Sequence, residues 1–195
     1  MTAPQLTLFD EPAPALPEGM RYAENIISPE AEHALAAFIA ALSLKPFEFT
    51  SGFQGNRRVV SFGWRYDFNS QQIHKADDMP APLLFLRRQA AGFAGTAADS
   101  FQQVLVTEYA PGAGIGWHKD RPVFGEIIGV SLLAPCNFRL RRKSGSSWER
   151  ASLNAQPRSA YLLSGRSRTE WEHSIPAVNR LRYSVTFRNF KRDTN

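Results

Sequence analysis

Three side chains of this sequence have the types and spacing of a metal-binding set. His118 and Asp120 lie two residues apart, and His173 follows further along the chain. On an extended segment, residues two apart project to the same side, because side chains alternate along a strand. Two imidazoles and one carboxylate on one face of an octahedral ion leave three positions open, as oxygen chemistry at non-heme Fe(II) requires. We therefore predict that His118, Asp120 and His173 bind one metal ion.

The C-terminal segment adds a polar face that needs an anionic partner. Over residues 182–188 the period of a strand puts Arg182, Ser184, Thr186 and Arg188 on one side. An unpaired buried charge is costly, so two guanidinium groups on an inner face call for an anion. Arginine binds carboxylates through paired N–H donors. A dicarboxylate held between the metal and the two arginines fits this arrangement.

The elements that position these residues can be predicted from local patterns. Ser28 followed by Pro29 is typical of a helix start, and the apolar residues after it form one buried stripe. A second helix is predicted over residues 81–94. Strands are predicted over residues 47–50, 58–62, 102–109, 126–133, 136–142, 158–163 and 180–190. Two helices followed by many short strands predict an α+β fold with a β-sandwich or a jelly roll. Of these we predict the double-stranded β-helix (jelly roll), with two N-terminal supporting helices. Thr107 and Tyr109 share one face of their strand and are expected to hydrogen-bond the dicarboxylate.

Composition limits the class of protein. The chain has 195 residues, enough for one domain with a sizeable core, and we predict that domain over residues 21–195. It has no apolar run long enough to span a membrane and no layout typical of a signal peptide. The only cysteine, Cys136, cannot form an internal disulfide, so we expect a cytoplasmic protein. A free cysteine usually lies in the core, so we expect Cys136 to be buried. We also expect the protein to be a monomer. The net charge is +5, and the first 20 residues carry three acidic and no basic side chains, so residues 21–195 carry +8. This excess favours a polyanionic partner, nucleic acid first.

The composition of the N-terminal 20 residues predicts a disordered tail. They contain several alanines and four prolines, Pro4, Pro12, Pro14 and Pro17. Within this tail, residues Gln5–Phe9 read Gln-Leu-Thr-Leu-Phe. They resemble the peptide by which bacterial replication and repair proteins bind the sliding clamp. The alternative is that Leu6, Leu8 and Phe9 pack the tail against the domain.

Together these motifs resemble the AlkB family of Fe(II)/2-oxoglutarate-dependent dioxygenases. The family pattern is Asn-x-Tyr-x-x-Gly, His-x-Asp, a distal His and Arg-x-Asn-x-Thr-Phe-Arg, and the match runs from about residue 63 to residue 188. The resemblance implies that the three predicted ligands bind Fe(II). It also implies that Arg182 binds the distal carboxylate of 2-oxoglutarate, that Tyr109 hydrogen-bonds it, and that Arg188 lies near its metal-bound end. Thr107 and Ser184 stand where the family has asparagines, and both keep a hydrogen-bonding group.

The resemblance also implies a lid over a nucleotide substrate. Trp64 and Tyr66 lie in the segment that matches this lid and are candidates for stacking on a flipped base. The alternative is that both rings belong to the core. Four cations are candidates for contacts with phosphates: Arg121, Arg57, Arg58 and Arg65. The alternative for each is an exposed, solvated side chain with no substrate contact.

Three functions remain open from the sequence. The first is oxidative dealkylation of N-alkylated DNA bases, which would release succinate, CO2 and an aldehyde. The second is an RNA-modifying hydroxylase, because residues 57–66 and Pro122 resemble tRNA wobble-uridine hydroxylases of the same family. Base-repairing members carry a second carboxylate where this chain has Pro122. The third is a binding module with a structural metal, against which the complete metal set and both arginines argue.

Overall fold

Two antiparallel sheets that face each other form the body of the protein. The computed structural model describes residues 16–48 and 54–191. Its strands are β1 (Met20–Ala23), β2 (Lys45–Glu48), β3 (Gln54–Phe62), β4 (Trp64–Asp67), β5 (Gln72–Lys75), β6 (Gln103–Tyr109), β7 (Ile115–His118), β8 (Phe124–Leu132), β9 (Cys136–Ser144), β10 (Ser147–Ala155), β11 (Ser159–Leu163), β12 (Glu172–Ile175) and β13 (Arg182–Phe190). The seven-stranded sheet has the order β1-β11-β8-β13-β6-β3-β2, and the four-stranded sheet has the order β10-β9-β12-β7. Strands β4 and β5 form a separate hairpin.

Both predicted helices form, α1 (Pro29–Ala40) and α2 (Ala81–Ala94). The Ala31 amide donates to the Ser28 hydroxyl at 3.2 Å, which is the N-terminal cap expected from the sequence. Helix α2 ends at Gly95, whose φ of 67° is a left-handed conformation that glycine adopts without strain. A short third helix, α3 (Gly165–Thr169), precedes β12.

Two apolar cores divide the interior. The first lies between α1, α2 and the outer face of the seven-stranded sheet, and includes Leu35, Ile39, Leu83, Leu86, Val104, Val106, Val185 and Phe187. The second lies between the two sheets, and includes Met20, Ile127, Cys136, Phe138, Leu140, Tyr161 and Leu163. The predicted burial of Cys136 is therefore confirmed.

The inner face of the seven-stranded sheet carries a polar row as well as part of the second core. Strand β13 pairs with β6 so that Arg182 lies opposite Tyr109 and Ser184 lies opposite Thr107. Strand β3 pairs with the other edge of β6 and places Arg57 opposite Tyr109. Residues directly opposite each other in an antiparallel pair project to the same face. The register therefore aligns Arg57, Tyr109 and Arg182 across three strands.

Several strands escape sequence-based prediction. The sequence patterns do not predict β7, β10 and β12, which form three quarters of the small sheet. In β10 two of the three inward residues Ala151, Leu153 and Ala155 are small, and the outward residues include Trp148 besides polar side chains. An edge strand of this kind has only a weak alternation of apolar and polar residues. Gly145 and Ser146 form the tight turn between β9 and β10.

The folded body begins before residue 21, which corrects the predicted extent of the tail. Met20 is buried in the second core, and Leu16 packs against the same core. Strand β1 pairs with β11, with Met20 opposite Leu163. Residues Gln5–Phe9 lie outside the described residues. Among the residues that are described, no helix is long and apolar enough to cross a membrane.

Candidate metal centre and active site

The structure brings the three predicted metal ligands together between the two sheets. His118 ends β7 and lies directly opposite His173 of β12, with ring centroids 4.2 Å apart. Asp120 follows two residues later, and its Oδ2 lies 3.5 Å from Nε2 of His173. One nitrogen or oxygen atom from each residue lies within 4.8 Å of the others. This donor set and spacing suit one Fe(II) ion with open coordination positions.

Neighbouring groups orient both imidazole rings. Nδ1 of His118 lies 2.9 Å from the Gly116 carbonyl oxygen. Because a carbonyl only accepts, Nδ1 must carry the proton, which leaves Nε2 of His118 free to bind a metal. The ring of Phe138 stacks on His173 at 5.2 Å and restricts its rotation.

Arg188 hydrogen-bonds Asp120, the carboxylate of the predicted metal-binding set. Its Nε and Nη2 donate to Oδ1 of Asp120 at 3.0 and 2.8 Å, and its Nη1 donates to Oε1 of Gln103 at 3.0 Å. Burial alone would raise the pKa of Asp120, but Arg188, aided by His173, holds this pKa well below its ordinary value. Asp120 is therefore ionised. The resemblance implies that Arg188 lies near the metal-bound end of 2-oxoglutarate, and in the structure it hydrogen-bonds the predicted metal ligand Asp120.

The electrostatics of the two histidines lead to a testable prediction about metal binding. Burial lowers the pKa of His118 below its ordinary value and lowers that of His173 to about 3, so at pH 6.5 His173 is neutral and His118 is less than half protonated. Two imidazoles with the ordinary pKa of 6.5 would each be half protonated at that pH and would together release about one proton per bound ion. We expect a release below about half a proton per bound ion. Calorimetric titration with Co²⁺ at pH 6.5, in buffers of different ionisation enthalpy, measures it, and a release near one proton contradicts the burial argument.

The opposite end of the site contains a buried cation without a counter-charge. Arg182 has an exposed fraction of 0%, and its Nε donates to the Ser131 hydroxyl at 3.0 Å. Its Nη1 and Nη2 have no hydrogen-bond partner within the part of the chain that the structure describes. The guanidinium lies 5.1 Å from the centre of the Tyr109 ring, and Thr107 and Ser184 are buried in the next row of the sheet. A carboxylate would satisfy both free nitrogens, so these residues fit the distal end of 2-oxoglutarate.

A family comparison supports this interpretation of the two ends of the site. The model described as "2OG-Fe(II) oxygenase superfamily" matches residues 19–188, which is most of the chain. The chain belongs to this superfamily. Within the superfamily it is AlkB-like, and its cofactors are Fe(II) and 2-oxoglutarate.

Relatives of known name point in the same direction. The chain is 28% identical over 162 residues to "Alkylated DNA repair protein ALKBH8 homolog" of Arabidopsis thaliana, covering 70% of this chain and 47% of the relative. It is 26% identical over 175 residues to "tRNA (carboxymethyluridine(34)-5-O)-methyltransferase alkbh8" of Xenopus tropicalis, covering 84% of this chain and 26% of the relative. This AlkB-like chain thus spans about half and about a quarter of the length of these two curated relatives.

Solved structures confirm the predicted jelly roll. "The structure of OsALKBH1" superposes with a TM-score of 0.64 at 15% identity, covering 90% of this chain and 98% of that one. A Pseudomonas putida prolyl-4-hydroxylase superposes with a TM-score of 0.61 at 14% identity, covering 89% and 93%. At these identities the likeness establishes the fold of the AlkB-like chain.

The β4–β5 hairpin supplies the aromatic residues predicted for a lid. The guanidinium of Arg121 lies 5.2 Å from the Tyr66 ring centre and 4.9 Å from that of Phe68. Trp64 instead packs edge-to-face on Phe190, with ring centroids 5.6 Å apart. Arg121 and Tyr66 are therefore in contact, as one cluster, whereas Trp64 packs at the other end of the same strand.

Of the remaining cations predicted to contact phosphates, two have other roles. Arg58 forms a two-pronged ion pair with Glu108, at 2.7 and 2.9 Å. Arg57 is buried on the inner face, 4.0 Å from the centre of the Phe47 ring and opposite Tyr109 of the paired strand. Arg65 remains exposed. Arg57 and Arg58 are adjacent in a strand, so their side chains must point to opposite faces of the sheet. This alternation predicts that one of them points inward and the other outward.

Sequence reasoning missed other groups around the site. They are Gln103, which hydrogen-bonds Arg188, Ser131, which hydrogen-bonds Arg182, and Phe138, which packs on His173. None lies in a recognisable motif, because each is brought to the site by strand pairing.

Proposed function

We propose that this AlkB-like chain oxidises an alkyl group on a nucleic-acid base. The observation that carries the proposal is the buried Arg182 guanidinium, whose two free nitrogens share the space between the sheets with the metal ligands. When bound, Fe(II) with 2-oxoglutarate and O2 supplies the oxidation, with succinate and CO2 as co-products. Arg182 and Tyr109 hold the dicarboxylate, and Arg188 keeps Asp120 ionised and oriented.

The residues near the lid support a nucleotide as the substrate. The Arg121–Tyr66 cluster combines a cation with an aromatic face. Such a pair can contact a phosphate and stack on a base turned out of its strand. The basic excess of residues 21–195 is consistent with a polyanionic partner.

The hydrogen-bonding groups favour a uracil base in RNA. Pro122 provides no carboxylate to accept from the exocyclic amine of adenine or cytosine. Arg57, which is buried on the inner face beside Tyr109, offers only donors, and these suit the carbonyl oxygens of uracil. The name of the Xenopus relative refers to a tRNA uridine. A uridine with an alkyl substituent at its 5 position, in tRNA, is therefore our first candidate substrate.

N-alkylated DNA is the second candidate, and the N-terminal peptide is the observation that favours it. Gln5–Phe9 resembles a sliding-clamp peptide, and a tether to the replication machinery would place the enzyme where DNA lesions arise. On this candidate, oxidation of an N-methyl group releases formaldehyde and restores the base.

Assay of both substrates with the same enzyme preparation tests the proposal. Purified protein with Fe(II), 2-oxoglutarate and O2 is incubated with tRNA that carries a 5-substituted wobble uridine, or with N-methylated DNA oligonucleotides. We expect the uridine to gain one oxygen atom by mass spectrometry, with one succinate formed per product. Formaldehyde from the oligonucleotides identifies DNA dealkylation instead. Succinate formation that neither nucleic acid stimulates contradicts a nucleic-acid substrate, and absence of any succinate favours a binding module with a structural metal.

The clamp peptide leads to a separate prediction. We propose that residues Gln5–Phe9 bind an apolar groove of a bacterial sliding clamp in the cytoplasm. Deletion of residues 1–10 should abolish clamp binding in surface plasmon resonance and leave turnover of a short substrate within about twofold of the full chain. Clamp binding that survives the deletion contradicts the assignment of the motif.

A further inference from the structure

The outer face of the four-stranded sheet carries alternating cations and indoles. On β9 and β10 the inward residues belong to the second core, so the residues between them point away from it. Both long helices pack on the other sheet and leave this face uncovered by α1 and α2. We call it the Trp–Arg face, and its members are Trp117, Arg139, Arg141, Lys143, Trp148 and Arg150.

The cations of this face lie against the indole rings. Arg141 lies between the two tryptophans, 4.4 Å from the ring centre of Trp117 and 4.2 Å from that of Trp148. Arg139 lies 5.1 Å from Trp117, and Lys143 lies 5.4 Å from Trp148. These contacts hold long, flexible cationic side chains in a continuous layer.

The charges of the face are only partly compensated. Glu172 accepts from Nε of Arg141 at 2.6 Å, and Ser174 accepts from Nε of Arg139 at 3.1 Å. The terminal nitrogens of these two arginines make no hydrogen bond to any described residue. Lys143 and Arg150 are exposed. One carboxylate therefore faces four cations, which leaves a surplus of positive charge over the sheet.

We propose that the Trp–Arg face binds a single-stranded stretch of nucleic acid through its backbone phosphates. Proteins that bind single strands combine a cationic track with aromatic side chains on which bases stack, and this face has both features. The three cations of β9 stand two residues apart, about 6.7 Å, and so form a regular row. The proposal rests on the proposed function for the class of partner.

The position of the face suggests what it holds. Trp117 directly precedes His118 on β7, the edge strand of the small sheet. Their side chains project to opposite sides, so the face and the metal centre lie on two sides of one sheet. A strand whose target base enters the site can pass around β7, and the Trp–Arg face then binds the nucleotides that flank the target.

Direct binding measurements on the full chain, without added metal, test the proposal independently of turnover. Fluorescein-labelled single-stranded RNA and DNA of about 20 nucleotides serve as probes in anisotropy titrations. The variant Lys143→Gln/Arg150→Gln should bind about fivefold to tenfold more weakly, with the slope of log affinity against log salt reduced by about 1 to 1.5. The matched control is Lys45→Gln/Arg88→Gln, which removes two exposed cations from β2 and α2. It should bind like the unaltered chain.

A ring variant separates stacking from charge. Trp148→Ala should weaken binding at unchanged salt slope, because it removes a stacking surface but no cation, and Trp148→Phe should recover most of the affinity. A stronger effect on RNA than on DNA, or the reverse, identifies the type of strand. Equal binding by the Lys143→Gln/Arg150→Gln variant and the unaltered chain overturns the proposal. So does equal weakening in the control variant, or absence of binding by the unaltered chain.

Discussion

Replacement of His118 with alanine is expected to abolish product formation and to weaken metal binding at least about 100-fold. His118 supplies one of three ligand atoms that lie within 4.8 Å of one another, and its loss leaves one imidazole and one carboxylate. Metal affinity is measured by titration with Co²⁺, and turnover by succinate formation with the preferred nucleic acid. Loss of both, with the unfolding temperature of the metal-free chain unchanged, identifies His118 as a ligand rather than as a residue that supports the fold.

The matched control for this variant is His33→Ala. His33 is an exposed histidine on α1, a helix that packs on the outer side of the large sheet, away from the metal ligands. It should keep both metal affinity and turnover. A His118→Ala variant with the same metal affinity and succinate signal as the His33→Ala variant would remove the proposed metal centre.

Arg182→Met is expected to stabilise the ligand-free protein while it abolishes 2-oxoglutarate binding. In the ligand-free chain the guanidinium is fully buried, and two of its nitrogens lack partners. Replacing a buried, uncompensated charge with an apolar side chain of similar length is expected to raise the free energy of unfolding by about 1–3 kcal/mol. The same change removes the counter-charge for the distal carboxylate, so the Kd for 2-oxoglutarate should rise at least about 100-fold. Thermal unfolding with and without 2-oxoglutarate measures both effects.

Arg168→Met provides the contrast in sign. Arg168 is also a buried arginine, but its Nε and Nη2 donate to three backbone carbonyls, of Gly125, Arg121 and Phe124, at 2.7–2.8 Å. Its loss leaves buried acceptors without donors, so this variant should lower the unfolding temperature. If Arg182→Met instead destabilises the chain and the protein still responds to 2-oxoglutarate, then Arg182 is a structural residue and the anion site lies elsewhere.

Features that depend on short spacings can be predicted from the order of residues alone. Helix α1 begins after its capping serine, and α2 spans the predicted residues 81–94, because capping and apolar periodicity act within a few residues. The spacing of His118 and Asp120 and the one-sided polar pattern of β13 are equally local. They were enough to predict a metal site beside an anion site.

Which of these polar groups bind each other depends on how the strands pair and how the sheets pack. Arg182 and Arg188 share one face of β13, and nothing in their spacing distinguishes them. Arg188 pairs with Asp120, and Arg182 keeps two free nitrogens. Likewise, the alternation of side chains along a strand predicts that Arg57 and Arg58 point to opposite faces. The register of β3 with β6 determines that Arg57 is the one that points into the site. Register and the facing of two sheets arise from contacts between residues far apart in sequence, and local periodicity carries no information about them.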